Sequence, residues 1–479
     1  MPFTPAPIQF GTDGWRGVIA ADFTFARVQQ LAPIAAQVLY NQHFAQNRLM
    51  IVGYDRRFLA EDFAKIVAEA VQAAGFDVYL ADTYAPTPAL SWAVKAHSAL
   101  GALVLTASHN PAQYLGLKVK GAFGGSVTRE VTAKIEAGLL SPRTLTAETP
   151  GELSTFNPWD RYQEVLETKV DLNRIKRAIA QGKLDIFADV MHGAAAGGLS
   201  RLLGEGVIEI NAERDPLFGG NPPEPLPPYL PKLFRAIQEA KHNHQSSLRI
   251  GLAFDGDGDR VAAVDGEGNF QSSQVLIPIL IQHLVKNRGM SGEIVKTVSG
   301  SDFIPLVAQQ YQQPLYETAI GYKYIAERML ETSVLLGGEE SGGIGYGTHL
   351  PERDALLSAL YAIEAVVIAD QDLGSLYQQL QAEVGFASAY DRIDLPLANE
   401  AAKQRVQTIL ASNPPAQVAE RAVQSCQTID GYKFRLEDNS WFLVRFSGTE
   451  PLLRLYCEAK DDQTVRTILN WAKQWASEL

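Results

Sequence analysis

Short apolar runs alternate with longer segments of helical spacing along most of this chain of 479 residues. Residues 48–54 and 101–105 predict buried strands, and residues 61–74 between them predict a helix. The alternation returns in residues 184–264 and again in residues 293–336. Because a helix that joins two strands leaves those strands parallel, such a chain forms sheets that helices cover. The sequence therefore predicts successive α/β domains.

The C-terminal part of the chain departs from this pattern. Short strands among polar segments are predicted at residues 387–395, 432–436, 440–446 and 453–459, before an amphipathic helix at residues 462–477. We expect a smaller α+β domain here. The domains are placed at residues 1–153, 154–270, 271–374 and 375–479.

Charge and cysteine content exclude several classes of protein. The formal net charge of −12 argues against nucleic-acid binding, because affinity for a phosphate backbone needs clustered Lys and Arg. The sequence shows neither an apolar stretch long enough to span a bilayer nor a signal peptide, so we expect no membrane association. Cys426 and Cys457 are its two cysteines, without a CxxC pair for zinc. We expect a cytoplasmic protein with two reduced thiols.

A serine follows the apolar strand at residues 101–105. The loop Thr106–Pro111 places Ser108 at the carboxyl end of that strand, where α/β proteins bind ligands. The motif G-x-S-x-G of hydrolases is absent. A capped turn is an equal alternative for this loop, since Ser, Asn and Pro all favour turns.

Three aspartates separated by glycines lie between two apolar strands, at Asp255, Asp257 and Asp259. Three clustered carboxylates repel one another unless a cation lies between them, and oxygen ligands suit a hard divalent ion. An EF-hand is excluded because Arg260 and Gly266 occupy positions that require Gly and Glu. A solvated Asp-Gly hairpin remains the alternative.

Two further loops carry polar groups that suit a phosphosugar. Glu339 and Ser341, in the glycine-rich loop 337–343, offer acceptors and a donor to sugar hydroxyls. Loop 445–451, with Arg454 downstream, offers charged donors and hydroxyls for a phosphate dianion. Taken singly, the first is as readily a generic glycine turn and the second a polar surface hairpin.

Together, and in this order, the four loops resemble those of the α-D-phosphohexomutase superfamily, which includes phosphoglucomutase and phosphomannomutase. Residues 10–17 are similar to the opening motif of that family, whose arginine enters the active site. The resemblance covers nearly the whole chain. It implies three similar mixed-sheet α/β domains and a smaller C-terminal α+β domain around a central cleft.

The resemblance also implies roles for individual residues. Ser108 is implied to carry a phosphoryl group and, with Asp255, Asp257 and Asp259, to hold one Mg²⁺ per active site. The catalytic candidates are Ser108, His109, Lys118, Arg16 and His349. The implied substrate contacts are Arg260, Lys323, Glu339, Ser341, Arg353, Arg445, Ser447, Gly448, Thr449 and Arg454.

The expected activity is that of a phosphoglucomutase, which interconverts glucose 1-phosphate and glucose 6-phosphate. Glucose 1,6-bisphosphate would be its intermediate and activator. Gly343 stands where mannose- and glucosamine-acting branches often carry histidine, and together with His349 it favours glucose. Leu115 departs from the asparagine common in the family.

Other functions stay open at this point. They are a glucose-1,6-bisphosphate synthase that uses a bisphosphate donor, a phosphomannomutase, and a non-catalytic phosphosugar-binding protein. An intact Ser108 and an intact aspartate triad argue against the last, because a binder needs neither. We expect a hexose phosphate as the binding partner, and a monomer or homodimer.

Overall fold

A computed structural model describes residues 5–11, 13–43, 47–140, 145–243, 247–446 and 451–477. The chain divides into two compact units, which are Met1–Glu293 with Gly321–Tyr377, and Ile294–Ile320 with Gln378–Leu479. Within the described ranges, no helix combines the length and the apolar character needed to cross a bilayer.

The first block of the chain is a six-stranded sheet covered by helices. Its elements are β1 Trp15–Val18, α1 Phe25–His43, β2 Leu49–Tyr54, α2 Ala60–Ala73, β3 Asp77–Ala81, α3 Thr87–Ala96, β4 Gly101–Leu105, β5 Tyr114–Gly121, α4 Arg129–Leu139 and β6 Leu153–Phe156. The strand order is β1-β5-β4-β2-β3-β6. Strands β2 and β4 are parallel, with Tyr54 opposite Leu105, so the loops that follow them start side by side.

Strand β5 was not predicted from the sequence. It runs antiparallel to both β4 and β1 and carries Lys118 and Lys120, whose side chains are almost fully buried. Buried lysines oppose the usual strand pattern, since an unpaired buried charge is costly. Carboxylates from distant parts of the chain compensate for them, as the site below shows.

The second block holds a five-stranded sheet. Its elements are α5 Pro158–Lys169, α6 Leu172–Ala180, β7 Leu184–Asp189, α7 Gly198–Leu203, β8 Val207–Ile210, α8 Pro231–Asn243, β9 Leu248–Phe254, β10 Val261–Val264 and β11 Phe270–Gln271. The order is β11-β10-β9-β7-β8. The aspartate tract forms the connection between the antiparallel strands β9 and β10.

The third block follows the same alternation of helices and strands. Its elements are α9 Ser273–Gln282, β12 Glu293–Thr297, α10 Phe303–Gln310, β13 Leu315–Thr318, α11 Tyr322–Glu331, β14 Val334–Gly338, β15 Ile344–Gly345, α12 Ala355–Ala369 and α13 Leu373–Val384. Strands β12 and β13 are parallel. Strands β14 and β15 are antiparallel, and the glycine-rich loop joins them.

The C-terminal part is an antiparallel sheet with two helices. Its elements are β16 Ala389–Pro396, α14 Glu400–Ser412, β17 Gln417–Val418, β18 Arg421–Gln427, β19 Tyr432–Leu436, β20 Trp441–Phe446, β21 Leu452–Ala459 and α15 Asp462–Ser477. The order is β16-β21-β20-β19-β18-β17. The sequence predicted four of these strands and the last helix, but not α14, β17 or β18. The predicted fold class, α/β blocks followed by a smaller α+β domain, is confirmed.

Candidate active site

Ser108 lies just beyond β4, in the loop that leads into β5. The residue is 1% exposed and has a φ of 51°, a left-handed conformation that is uncommon outside glycine. Its main-chain N–H donates to Thr106 Oγ1 at 2.9 Å, and its Oγ donates to Asp255 Oδ2 at 2.9 Å. The hydroxyl of Ser108 therefore points at the aspartate tract.

Gly256 allows the serine loop and the aspartate tract to come this close. A Cβ atom on Gly256 would lie 2.4 Å from the carbonyl oxygen of Ser108 and 2.9 Å from Pro223 Cγ. The carbonyl of Gly256 accepts a hydrogen bond of 2.9 Å from the Ala194 N–H, in the loop after β7. A side chain at this position would push the tract away from the serine.

The three aspartates form a buried cluster. Asp255, Asp257 and Asp259 are fully buried, and their carboxylate oxygens lie within 4.8 Å of one another. Asp257 Oδ1 and Asp259 Oδ1 have no hydrogen-bond partner among the described residues. Buried polar atoms normally have partners, and carboxylate oxygens are preferred ligands of Mg²⁺. These two oxygens, together with Asp255 and Ser108 Oγ, fit a divalent cation.

The carboxyl groups of Asp255 and Asp257 differ in the direction of their pKa shifts. Burial, and then the charges of Asp259 and Asp257, raise the pKa of Asp255 well above its ordinary value. Burial acts in the same direction on Asp257, but Lys118 and a hydrogen bond from Thr87 lower the pKa of that carboxyl below its usual range. Thr87 Oγ1 donates to Asp257 Oδ2 at 2.5 Å. Asp255, the carboxyl that Ser108 contacts, is thus less stabilised as an anion than Asp257.

Lys118, on β5, is paired with three carboxylates at once. Its Nζ lies 2.7 Å from Asp13 Oδ2, 2.8 Å from Asp257 Oδ2 and 2.9 Å from Asp259 Oδ2. Burial alone would lower the pKa of Lys118, but Asp13, Asp257 and Asp259 outweigh it and raise the pKa above its ordinary value. Lys118 is held as an ammonium ion.

Arg353 joins the same network from the third block. Its Nη2 lies 2.6 Å from Asp13 Oδ2 and 2.8 Å from Asp259 Oδ2. Lys120 lies 2.5 Å from Glu352 Oε2 and 3.3 Å from Asp13 Oδ1. The sequence predicted a substrate contact for Arg353, whereas the structure places its guanidinium on two carboxylates of the protein.

His109 contacts the serine hydroxyl, and two arginines lie close to the serine loop. His109 Nδ1 lies 3.3 Å from Ser108 Oγ. Burial and the nearby Arg260 and Arg16 hold the pKa of His109 well below its ordinary value, so the imidazole is neutral at pH 7. Arg16 Nη1 donates to Asn110 Oδ1 at 2.5 Å in the serine loop. Of the predicted residues, His109 thus contacts Ser108, Arg16 contacts its loop through Asn110, and Arg260 lies close enough to affect the pKa of His109.

His349 has a different environment. Its ring stacks on Trp92, with centroids 5.1 Å apart, and its Nε2 lies 2.9 Å from Asp354 Oδ2. The side chain is 0% exposed, and Asp354 caps α12 by accepting from the Leu357 N–H. The predicted catalytic role of His349 stays a prediction, and the structure places its ring between Trp92 and Asp354.

The glycine-rich loop contacts the end of the aspartate tract. Arg260 and Gly343 form a backbone bridge, and Glu339 Oε1 accepts a 3.0 Å hydrogen bond from the Gly321 N–H at the start of α11. Ser341 is partly exposed in this loop, and Lys323 lines a small pocket with Gly11, Asp13 and Gly14.

Gly343 has no room for a side chain. A Cβ atom there would lie 2.3 Å from Arg353 Cδ and 3.5 Å from Glu339 Oε2. The side chain of Arg353 thus occupies the space beside the glycine, and a histidine at this position would displace it from Asp13 and Asp259.

Two arginines of the predicted phosphate loop are neighbours in the C-terminal unit. Arg445 on β20 pairs directly with Arg454 on β21, which places two like charges on one face of the sheet. Arg445 Nε bonds Asp430 Oδ2 at 3.0 Å. The predicted ligands Ser447, Gly448 and Thr449 lie outside the described residues.

Sequence reasoning missed several members of this site. They are Asp13, Arg57, Thr87, Lys120 and Glu352. Two of these had a usable signal. Asp13 stands close to two glycines in the opening motif, and Arg57 follows the apolar strand β2 as Ser108 follows β4.

Four family models match the chain in order. They are described as phosphoglucomutase/phosphomannomutase alpha/beta/alpha domain I at residues 7–144, domain II at residues 160–268, domain III at residues 272–384, and the C-terminal domain at residues 395–470. The aspartate tract and the serine loop each fall inside one of these matches.

Full-length relatives and a solved structure agree with this result. A phosphoglucosamine/phosphogalactosamine mutase of Sulfurisphaera tokodaii is 31% identical over 97% of this chain and 98% of its own. A phosphoglucomutase/phosphomannomutase of Thermococcus kodakarensis is 28% identical over 96% of both chains. A crystal structure of a Thermus thermophilus protein, assigned as a phosphomannomutase, is 33% identical, with a TM-score of 0.84, over 99% of this chain and 100% of that one.

Removal of one triad carboxylate tests the cation site. We expect Asp257→Asn to weaken Mg²⁺ binding, because it removes the negative charge of one of the proposed ligands. Loss of a group that only supports a ligand lowers metal affinity by roughly 10- to 100-fold, and we expect loss of a ligand charge to have at least this effect. Isothermal titration calorimetry measures the affinity. Asp265→Asn is the control, since Asp265 is a buried carboxylate outside the triad that bonds Asn269 and Gln271. Equal Mg²⁺ affinity in Asp257→Asn and the wild type would exclude this site.

Proposed function

The chain belongs to the phosphoglucomutase/phosphomannomutase family, and from that premise we propose that it interconverts glucose 1-phosphate and glucose 6-phosphate through a phosphoserine at Ser108. One observation carries the proposal. The hydroxyl of Ser108 lies 2.9 Å from Asp255 Oδ2, beside two buried carboxylate oxygens that have no hydrogen-bond partner among the described residues, Asp257 Oδ1 and Asp259 Oδ1. A binding protein would have no use for a serine held against such a set of metal ligands.

Asp255, Asp257, Asp259 and an oxygen on Ser108 would hold Mg²⁺. When bound, the ion would neutralise charge on the oxygens of the transferring phosphoryl group. Arg16 and Arg260 supply further positive charge beside Ser108, as their effect on the pKa of His109 indicates. Their donors are suited to the equatorial oxygens of a phosphoryl group.

The chemical step exchanges one P–O bond for another. A sugar hydroxyl attacks the phosphorus of phospho-Ser108, the bond between Ser108 Oγ and phosphorus breaks, and a sugar bisphosphate forms. The attacking hydroxyl loses a proton, and the departing Ser108 Oγ gains one. His109 is the best placed of the three candidates to exchange the proton at Ser108 Oγ in both half-reactions, because its Nδ1 is 3.3 Å from that oxygen, whereas Lys118 is engaged by three carboxylates and His349 is enclosed.

The second half-reaction reverses the first with the other phosphate. Glucose 1,6-bisphosphate turns end for end, and its second phosphoryl group returns to Ser108. In each half-reaction one phosphate does not react and needs a separate binding site. We assign this site to Arg445 and Arg454, which are adjacent on β20 and β21. Each pairs with an aspartate through its Nε, with Asp430 and Asp394 respectively, and the terminal nitrogens of the two guanidinium groups would donate to a dianion.

Substrate choice is the finer part of the proposal. Gly343 supports glucose, because Arg353 fills the space that a histidine would need. A second candidate is glucosamine phosphate, favoured by the relative from Sulfurisphaera tokodaii, and mannose phosphate is compatible with the family. A glucose-1,6-bisphosphate synthase differs in releasing the bisphosphate. A panel of hexose monophosphates with Mg²⁺ and glucose 1,6-bisphosphate, followed by NMR, separates these outcomes by the product that accumulates.

Ser108→Ala is expected to abolish the interconversion, because Ser108 Oγ is the hydroxyl that this loop presents to Asp255. Intact mass spectrometry of the wild type after incubation with glucose 1,6-bisphosphate should show one added phosphate that disappears with excess monophosphate. Ser154→Ala, on β6 and away from the loop, is the control and should behave like the wild type. A Ser108→Ala protein with near-normal turnover and a phosphate adduct would contradict the covalent mechanism.

Arg445→Met tests the site for the non-reacting phosphate. Loss of a charge-assisted hydrogen bond is expected to raise KM for the monophosphate by about 10- to 100-fold, since such bonds contribute about 1.5–3 kcal/mol. Steady-state kinetics give KM, and phosphorylation of Ser108 by glucose 1,6-bisphosphate shows that the serine site is intact. Arg466→Met, an exposed arginine on α15, is the control. An unchanged KM in Arg445→Met would rule out the assignment.

A further inference from the structure

Arg57 is a buried arginine directly below the serine loop. It stands three residues beyond Tyr54, the last residue of β2, and its side chain is 0% exposed. Because β2 and β4 are neighbouring parallel strands, the guanidinium enters the space under the loop that follows β4. Sequence motifs gave this residue no role.

The guanidinium donates four hydrogen bonds to carbonyl oxygens of the serine loop and the start of β5. Nη2 bonds the carbonyls of Ser108 at 2.6 Å and Asn110 at 2.7 Å. Nη1 bonds the carbonyls of Pro111 at 3.0 Å and Tyr114 at 3.1 Å. One side chain thus fixes the direction of the chain from Ser108 to Tyr114.

The hydrogen bonds from Arg57 hold Ser108 in a strained backbone conformation. A φ of 51° is maintained in a non-glycine residue only when surrounding contacts over-determine it. Arg57 Nη2 donates to the main-chain carbonyl of Ser108, while the Oγ of the same residue donates to Asp255 Oδ2 at 2.9 Å. Without the hydrogen bond from Arg57, the peptide after Ser108 could rotate and carry the hydroxyl away from the triad.

Arg57 is itself fixed on two sides. Asp55 Oδ2 lies 3.3 Å from Arg57 Nε, and Asp55 Oδ1 accepts from the Arg57 N–H at 2.9 Å. The ring of Phe218 covers the guanidinium, with a distance of 4.8 Å from its centroid to the Cζ of Arg57. A planar fork held in this way is pre-organised for several carbonyls at once, which a lysine ammonium cannot match.

We propose that Arg57 is a positioning residue that aims Ser108 Oγ at the metal site for phosphoryl transfer. The proposal rests on the phosphoserine function argued above and deepens it. The hydrogen bonds of the Arg57 guanidinium go to main-chain carbonyls of residues 108–114, so it acts through the serine loop. Its loss should slow both phosphoryl-transfer steps and leave binding of the monophosphate almost unchanged.

The adjacent Arg56 shows that this role is specific to one of the two arginines. Arg56 Nη1 donates to the carbonyl of Ala212 at 2.7 Å, and its guanidinium covers the ring of Tyr84 at 4.7 Å. Both contacts lie outside residues 106–114.

The test compares Arg57→Lys, Arg57→Met and Phe218→Leu with the wild type. Arg249→Lys is the matched control, because Arg249 is a buried arginine that donates to the carbonyl of Gly266, outside the serine loop. Each protein is characterised by Tm, by kcat and KM, and by the rate at which phospho-Ser108 loses its phosphate to a monophosphate sugar in rapid-quench mass spectrometry.

We expect both Arg57 variants to lower kcat and the single-turnover rate by about 100-fold, the loss typical of a displacement of about 1 Å, with KM within about threefold. Phe218→Leu, which leaves the charge of Arg57 in place, should show a smaller loss of kcat alone. Arg249→Lys should keep its kcat even if its Tm falls.

Two results would overturn the role of Arg57. One is a wild-type kcat in Arg57→Lys, which would mean that the charge suffices. The other is a loss of activity in proportion to unfolded protein, equal in the Arg57 and Arg249 variants and absent from Phe218→Leu. If the wild type itself gains no phosphate on Ser108, the proposed function fails, and the role of Arg57 fails with it.

Discussion

A buried cluster of three carboxylates governs this active site. Lys118 pairs with Asp257 and Asp259 as well as with Asp13, and Asp259 also lies near Arg353 and Arg260. Asp255 accepts a hydrogen bond from Ser108 Oγ, and Asp257 Oδ1 and Asp259 Oδ1 have no hydrogen-bond partner among the described residues. Clustered carboxylates repel one another, and a divalent cation bound to these oxygens would relieve that repulsion. The fold, the loops and the glycines of the tract all serve to bring these groups together.

Each part of the network comes from a different block of the chain. The serine loop and β5 belong to the first block, the triad connects two strands of the second, and Arg353 belongs to the third. Gly256 and Gly343 are the points at which these parts touch, since a Cβ at either would collide with Ser108 or with Arg353. The arrangement of charges therefore depends on glycine at these two positions, since a side chain at either would move the serine loop or Arg353. Arg57 completes the arrangement from below by holding the strained serine loop.

Local patterns in the sequence predicted most strands and helices. Contacts between residues that are far apart in the sequence became visible only in the structure. The apolar runs of β2, β4, β7 and β9 were read correctly, because burial on both faces gives continuous hydrophobic residues. Strand β5 was not predicted, because Lys118 and Lys120 interrupt its apolar pattern. Their partners Asp13 and Glu352 lie far away in the sequence. His349 was selected from a motif, but stacking on Trp92 and the bond to Asp354 are tertiary facts. Arg57 stayed hidden because its acceptors are main-chain carbonyls, which no side-chain motif records.

The central claim is that a divalent ion on the triad contacts an oxygen of phospho-Ser108. Mn²⁺ can take the place of Mg²⁺ in a site of oxygen ligands, and pulsed ENDOR then detects phosphorus near the bound ion. Phosphorylated protein loaded with one Mn²⁺ is predicted to show the phosphorus coupling of a directly coordinated phosphate, and Ser108→Ala treated in the same way should lack it. Bound Mn²⁺ without such a coupling in the phosphorylated wild type would contradict the account.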